Sequence, residues 1–351
     1  YEQASGEFQL AVSKTVNGAA PKAGETFEFS ATSADEGAPA FENVTTAEDG
    51  SAAFAVATGL DQRLMDYFGI RQEDMALVAD GVVQVDKAYT YENGWTVEVK
   101  QLLFDRYCGE ILVDLTAPEG TVLTEQDYRM DFQTLPTNRD LTNQGWGGGI
   151  GGEYLPESSD LAHGRISMLL HIHLEVASGD LLGIKLKLTP EKLGWWGLEE
   201  ENDWEFHTLA DFREESWTVK LTIPEEDPGR TLTTEQPLNI AGYELPVKQL
   251  YVSPISFLYD VSGLPFRGQP FDGDTVDGLM AVMGDEELTN AVLTMADGSQ
   301  VTMAARYFCQ ISHPAEGMFD QGRVIYRLAD IIDPEQVRSV TLLGQEFPEN
   351  P

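Results

Sequence analysis

Seven Asx-Gly pairs punctuate the chain: Asn17-Gly18, Asp49-Gly50, Asp80-Gly81, Asn93-Gly94, Asp272-Gly273, Asp277-Gly278 and Asp297-Gly298. Asn, Asp and Gly tolerate the positive φ that two-residue hairpin turns demand, so each pair marks a place where a strand can reverse. Apolar and polar residues alternate beside several of them. Thr96-Val97-Glu98-Val99-Lys100-Gln101-Leu102 is one such run. Ala291-Val292-Leu293-Thr294-Met295, then Asp297-Gly298, then Gln300-Val301-Thr302-Met303 spells a nearly complete hairpin. Period-2 patterning with frequent turns predicts a mainly β fold of several antiparallel, immunoglobulin-like β-sandwiches rather than a parallel sheet.

Helical signals are few. Leu60, Leu64, Tyr67 and Phe68 recur at helical spacing and stop at Gly69, and a second short turn is expected over residues 73–79. Thr124-Glu125-Gln126-Asp127 has the composition to cap a single turn. Asp333-Pro334-Glu335 carries the N-cap and N1-proline signature of another. The 351 residues divide into a small β-rich segment at 1–58, a helical linker at 59–79 and a central sandwich at 80–229. A C-terminal sandwich follows at 230–351. The run Pro224-Glu225-Glu226-Asp227-Pro228-Gly229 reads as a charged linker between the last two. Residues 143–152 read as a glycine-rich loop tip carrying one aromatic, Trp146.

Lys plus Arg number 22 against 59 Asp plus Glu, a net charge of −37. Such a surface repels phosphate backbones and anionic bilayers, so nucleic acid and basic-patch membrane docking are not expected partners. No apolar run is long enough to span a bilayer. The chain begins at Tyr1 rather than Met, which is read as an extracellular, cell-surface or membrane-anchored ectodomain without its targeting or anchoring segment. Cys108 and Cys309 are read either as a long-range disulfide or as two separate buried thiols.

Several ordered phrases carry a family resemblance. They are Asp86-Lys87-Ala88, Asn93-Gly94-Trp95-Thr96-Val97-Glu98-Val99, Phe104-Asp105-Arg106-Tyr107, Glu110-Ile111-Leu112-Val113-Asp114 and Ala117-Pro118-Glu119-Gly120-Thr121-Val122-Leu123. Together they resemble the opening hairpins of the domain-of-unknown-function family 4179 (DUF4179). Val247-Lys248-Gln249-Leu250-Tyr251-Val252-Ser253-Pro254-Ile255-Ser256 and residues 330–347 resemble the sandwich domain that commonly follows. The resemblance implies an ectodomain of Gram-positive bacteria, behind a single membrane span and in some members an anti-sigma segment. It implies no catalytic residues. The N-terminal run Phe8-Gln9-Leu10-Ala11-Val12-Ser13-Lys14-Thr15-Val16-Asn17-Gly18, followed by Gly24-Glu25-Thr26-Phe27-Glu28-Phe29, looks instead like a pilin-type module. In such modules an early Lys forms an isopeptide, and Lys14 is the candidate here.

Three other groups of residues invite chemistry. His171, His173 and Glu175 alternate along one strand, so they share a face and could share a metal. The simpler reading is a solvated polar face over inward Ile172, Leu174 and Val176. Asp272, Asp274 and Asp277 lie in a Gly-punctuated loop resembling a calcium loop, but an EF-hand would need Gly at position 277 and Glu at position 283. A non-EF calcium site or a plain acidic turn remain the two readings. Trp195, Trp196, Trp204 and Trp217 fall within one stretch. Trp204 and Trp217 alternate like core residues. Trp195-Trp196, bracketed by Gly194 and Gly197, must point in opposite directions on a strand, so at least one reaches solvent and is the best ligand contact.

No serine, cysteine, metal-hydrolase or phosphate-loop signature is present, and no cofactor is called for. The expected function is a non-catalytic binding or sensory ectodomain, anti-sigma-factor-like, that meets a protein or glycan ligand at the cell surface. A surface adhesin or pilus-like structural module, and a carbohydrate-binding or carbohydrate-active protein, are the alternatives.

Overall fold

The computed structural model describes residues 10–13, 28–29, 44–45, 51–54, 60–71, 74–136, 148–174, 181–200, 203–240, 243–262, 291–311 and 321–348. The chain divides into two compact units, Tyr1–Asp61 and Gln62–Pro351. In the first, β1 (Leu10–Ser13), β2 (Glu28–Phe29), β3 (Val44–Thr45) and β4 (Ser51–Phe54) pair antiparallel, β1 with β4 and β2 with β3.

The second unit opens with α1 (Gln62–Phe68) and α2 (Met75–Val78). Gly69 ends α1 with φ of 67°, the left-handed conformation that only glycine adopts without strain. Strands β5 (Val82–Thr90), β6 (Thr96–Phe104), β7 (Cys108–Thr116), β8 (Tyr128–Pro136), β9 (Gly148–Tyr154) and β10 (Arg165–Leu174) follow. Then come β11 (Lys185–Glu200), β12 (Asp203–Asp211) and β13 (Val219–Thr222). One antiparallel sheet runs β5-β6-β7-β10-β9. In the other, long β11 has β8 along one edge and β12 and β13 end to end along the other. Pro190, which has no N–H to give, sits in β11 at a bulge against β8. The two sheets close on a shared core that includes Trp95, Val97, Ile111, Val113, Met168, Leu170, Leu186 and Leu188.

The last ten strands are β14 (Arg230–Leu232), β15 (Leu238–Ile240), β16 (Tyr243–Leu245), β17 (Val247–Val252), β18 (Ser256–Ser262), β19 (Val292–Met295), β20 (Gln300–Ile311), β21 (Gln321–Leu328), β22 (Val337–Leu342) and β23 (Gln345–Pro348). β15 and β16 form a small hairpin of their own, while the other eight make a path β14-β17-β18-β21-β20-β19-β22-β23. Its β20 pairs with β19 over Gln300–Thr302, then with β21 from Met303 onward through two register shifts. Bulges bend a strand, which is how β20 joins both layers around the second core of Leu250, Phe257, Leu293, Val324 and Val340. The β19–β20 hairpin turns at Gly298, with φ of 83°.

The alternation in β10 predicts one wet face on this sheet. That face is covered instead. Residues 108–115 of β7 are all buried. Ile111, Val113 and Leu115 enter the first core, while Glu110 and Asp114 on the opposite face are buried as well. The cover comes from two sides. On α1, Arg63 binds Asp114 and donates to Ser167 at 2.9 Å. From the C-terminal sandwich, Arg327 donates to the Tyr67 carbonyl at 2.7 Å and lies 4.3 Å over the Tyr67 ring. The segment expected to be a linker is therefore docked, with Leu64 and Phe68 buried.

The β6–β7 turn, Asp105 to Cys108, joins the two sandwiches. Tyr107 and Cys108 form a small apolar cluster with Tyr251, Leu258 and Ile325, the outward residues of β17, β18 and β21. Beside it Asp105, wholly buried, accepts the backbone N–H of Tyr107 at 2.8 Å and of Cys108 at 2.9 Å. It also accepts the hydroxyl of Ser253 at 2.7 Å and that of Ser256. Burial raises its pKa, and these donors oppose the rise. Arg323 forks onto buried Asp260 with two bonds of 2.8 Å and stacks 4.9 Å from the Tyr107 ring.

Three further expectations are corrected. The charged run at 224–229 is pinned rather than loose: Asp227 accepts the Tyr251 hydroxyl at 2.6 Å and pairs with Arg106 at 3.2 Å. Residues 148–152 are edge strand β9, because β10 supplies ladder partners for each glycine. Thr124–Asp127 forms no helical turn; instead the Thr124 carbonyl accepts the Tyr128 hydroxyl at 2.6 Å. At the other end, Asp333 does cap a turn, Pro334–Gln336, accepting from the Glu335 N–H at 3.0 Å.

Replacing Asp105 orphans two backbone donors and two hydroxyls in a dry site, where each unsatisfied group costs about 1–3 kcal/mol. Asp105→Ala is expected to lower the unfolding free energy by about 3 kcal/mol or more, read as a fall in the urea midpoint.

Candidate functional site

The most exposed aromatic side chain among the described residues belongs to the Gly194-Trp195-Trp196-Gly197 run of β11: Trp196 is 55% exposed. The reason for the two glycines lies on β12. A Cβ on Gly194 would fall 2.8 Å from the Phe206 ring and 2.2 Å from the His207 carbonyl. One on Gly197 would fall 2.4 Å from His207 Nε2. Each bare glycine thus admits a ring from the neighbouring strand. On one face Phe206 meets Trp196 edge-on, centroids 5.3 Å apart. On the other His207 stacks on Trp195 at 5.4 Å and 20°.

From Trp195 an aromatic row continues inward, edge-to-face with Tyr128 at 6.2 Å and on to Tyr154 at 5.2 Å. Tyr154 forms one wall of an open cleft of about 800 Å³ that Glu125, Gln126, Asp127, Ser159 and Asp160 also line. The cleft and the exposed indole adjoin through β8. Tyr128 pairs with Trp195 and Arg129 with Gly194, which shares a face with Trp196. Exposed Arg129, between buried Tyr128 and Met130, therefore stands on the Trp196 face. Arg129 binds Asp127 at 2.7 Å and donates to the Gly152 carbonyl at 2.8 Å. Asp160 is paired with His163 at 2.8 Å, and this bond keeps its carboxyl below the usual range.

His171 lies elsewhere, in the seam under α1. Its Nδ1 is 2.5 Å from Glu110, which is only 2% exposed, and its Nε2 is 3.5 Å from Glu153. Glu153 also accepts the Tyr67 hydroxyl at 2.9 Å. Burial disfavours the imidazolium, but the two carboxylates outweigh it and lift His171 to about 9. His173 is pushed down to about 4 by burial and by the charge on His171. Of the expected metal set, His171 is thus held between two carboxylates, while Glu175 lies outside the described residues. A doubly bonded imidazolium has no lone pair for a metal, and among the described residues no three His, Cys, Asp or Glu are arranged to hold one.

Glu175, Trp146, Lys14 and the acidic loop with Asp272, Asp274 and Asp277 lie outside the described residues. Trp217 is half-buried and stacks on Tyr89 at 5.6 Å. Cys108 is a free, buried thiol hydrogen-bonded to Asp105, so the stapling disulfide is not formed. The sequence reading did not assign Phe206, His207, Asp127 or Tyr154 to the Trp195-Trp196 site. The signal for the first two was present, since a hairpin closing between Glu200 and Asp203 puts them beside the Gly-Trp-Trp-Gly run.

No family model matches the chain, and no curated protein matches it. Among solved structures the chain is similar to the crystal structure of the conserved domain protein from Bacillus anthracis. That likeness has a TM-score of 0.43 and 10% identity over 74% of this chain and 75% of the other. No described helix is long and apolar enough to cross a membrane.

Gly194→Ala forces a Cβ onto main-chain oxygen and is expected to cost about 1–3 kcal/mol in urea unfolding. Trp196→Ala, which removes an exposed ring, should stay within about 0.5 kcal/mol of wild type. The His171 pair gives a pH signature. Its pKa is about 9 folded against about 6.5 unfolded. Its stabilisation is complete below pH 6.5 and is lost as pH rises to 9, by about 3 kcal/mol at most. Urea midpoints measured between pH 6.5 and 9 should fall more steeply in wild type than in His171→Gln.

Proposed function

We propose that this chain is a non-catalytic, extracytoplasmic binding and sensory ectodomain of a membrane-anchored bacterial protein, of the anti-sigma-associated type that the DUF4179-like phrases suggest. Trp196 carries the reading. An indole left 55% exposed, yet fixed against Phe206 over a glycine, is a rigid contact group. A side chain already ordered loses little entropy when a ligand covers it. The acid–base groups support the same reading from the other side. His171 and Glu110, the strongest such pair, are spent in the seam beneath α1 rather than turned toward the cleft. A charge of −37 favours a partner that is not a polyanion.

The test uses the full gene product in its own host. Protease added to intact cells should degrade it while a cytoplasmic marker survives. Protection equal to that of the marker overturns the reading.

A further inference from the structure

We propose that the Trp196 face and the adjoining cleft bind a neutral oligosaccharide, a ligand class that rests on the binding-module reading above. A sugar ring offers a C–H face that packs on an aromatic plane and a rim of hydroxyls that need hydrogen-bond partners. The geometry supplies both in sequence. Trp196 is the platform, held edge-on by Phe206 at 5.3 Å. Arg129, opposite Gly194 on the Trp196 face, binds Asp127 of a cleft whose polar wall also holds Glu125, Gln126, Ser159 and Asp160. The volume of about 800 Å³ lies in the range of small-ligand sites.

Charge decides between ligands of similar shape. A surface of −37 disfavours polyuronates, nucleic acids and phosphate polymers. Of the three carboxylates in the cleft, Asp127 already holds Arg129 at 2.7 Å and Asp160 holds His163 at 2.8 Å, which leaves Glu125 alone to attract a cation. Both paired carboxylates still have oxygens that accept hydroxyl hydrogens, because each carboxylate has about four lone-pair sites. Paired carboxylates beside an exposed indole therefore suit an uncharged polyol better than either kind of ion.

The experiment is native electrophoresis of the whole chain through gels holding xylan, glucomannan or pullulan, with polygalacturonate as the anionic arm. Fluorescence titration with polylysine is the cationic arm. Retardation in at least one neutral gel is expected, with at least a tenfold loss of affinity in Trp196→Ala, a smaller loss in Asp127→Ala and none in His171→Gln. No retardation in any neutral gel, or retardation that Trp196→Ala leaves intact, overturns the sugar assignment. So does a Trp196-dependent response to polygalacturonate or polylysine alone, although that result leaves the binding-module reading standing. Protection from protease on intact cells removes that reading instead.

Discussion

Asp105 is the constraint on which the second unit depends. A carboxylate with no exposure is tolerated only when its lone pairs are filled, and here two backbone N–H groups and two serine hydroxyls fill them. The backbone donors belong to the β6–β7 turn and the hydroxyls to the other sandwich. The same atoms therefore shape a turn and fix where a second domain sits. Tyr107, projected by that turn, meets Tyr251, Leu258 and Ile325 and receives the guanidinium of Arg323. Apolar contact supplies adhesion at this joint. The buried polar pairs supply register, since they are satisfied in only one arrangement.

The same logic extends along the outer face of the five-stranded sheet. Asp114 with Arg63, and Glu110 with His171, place charges where an exposed face would have been left to water. Covering them requires α1 and the edge of the C-terminal sandwich together. The acidic chain thus spends several of its scarce cations, Arg63, Arg323 and Arg327 among them, inside the fold. Buried Asp114 and Asp260 go in with Arg63 and Arg323, so the surface left over stays strongly acidic, which bears on what it can meet. The exposed Gly-Trp-Trp-Gly stretch of β11 obeys a different rule. There, glycine removes side chain so that aromatic rings can cross strands, and Trp196 is left standing outside.

Strand content was legible because turn chemistry and period-2 alternation are local. Gly69 ending α1 and Gly298 turning the last hairpin are read from a few residues each. The opposite facing of Trp195 and Trp196 follows from the pleat alone. What alternation cannot reveal is whether a polar face is wet. Glu110, Asp114 and His171 look like solvent positions in sequence, and their partners lie 51 to 61 residues away. The pinned stretch around Asp227 misled for the same reason, since a clasp to Tyr251 and a flexible tether share one composition. The cleft was invisible because its lining comes from two separated segments, 125–127 and 154–162.

Arg327 closes over Tyr67 across 260 positions of chain. During synthesis α1 emerges long before the arginine that covers it, so the first sandwich must wait with the cover of its outer sheet face incomplete. Contacts of such high sequence separation form late and slowly. A nascent chain of this kind would depend on its many acidic groups, or on a chaperone, to stay apart from its neighbours until the final hundred residues arrive.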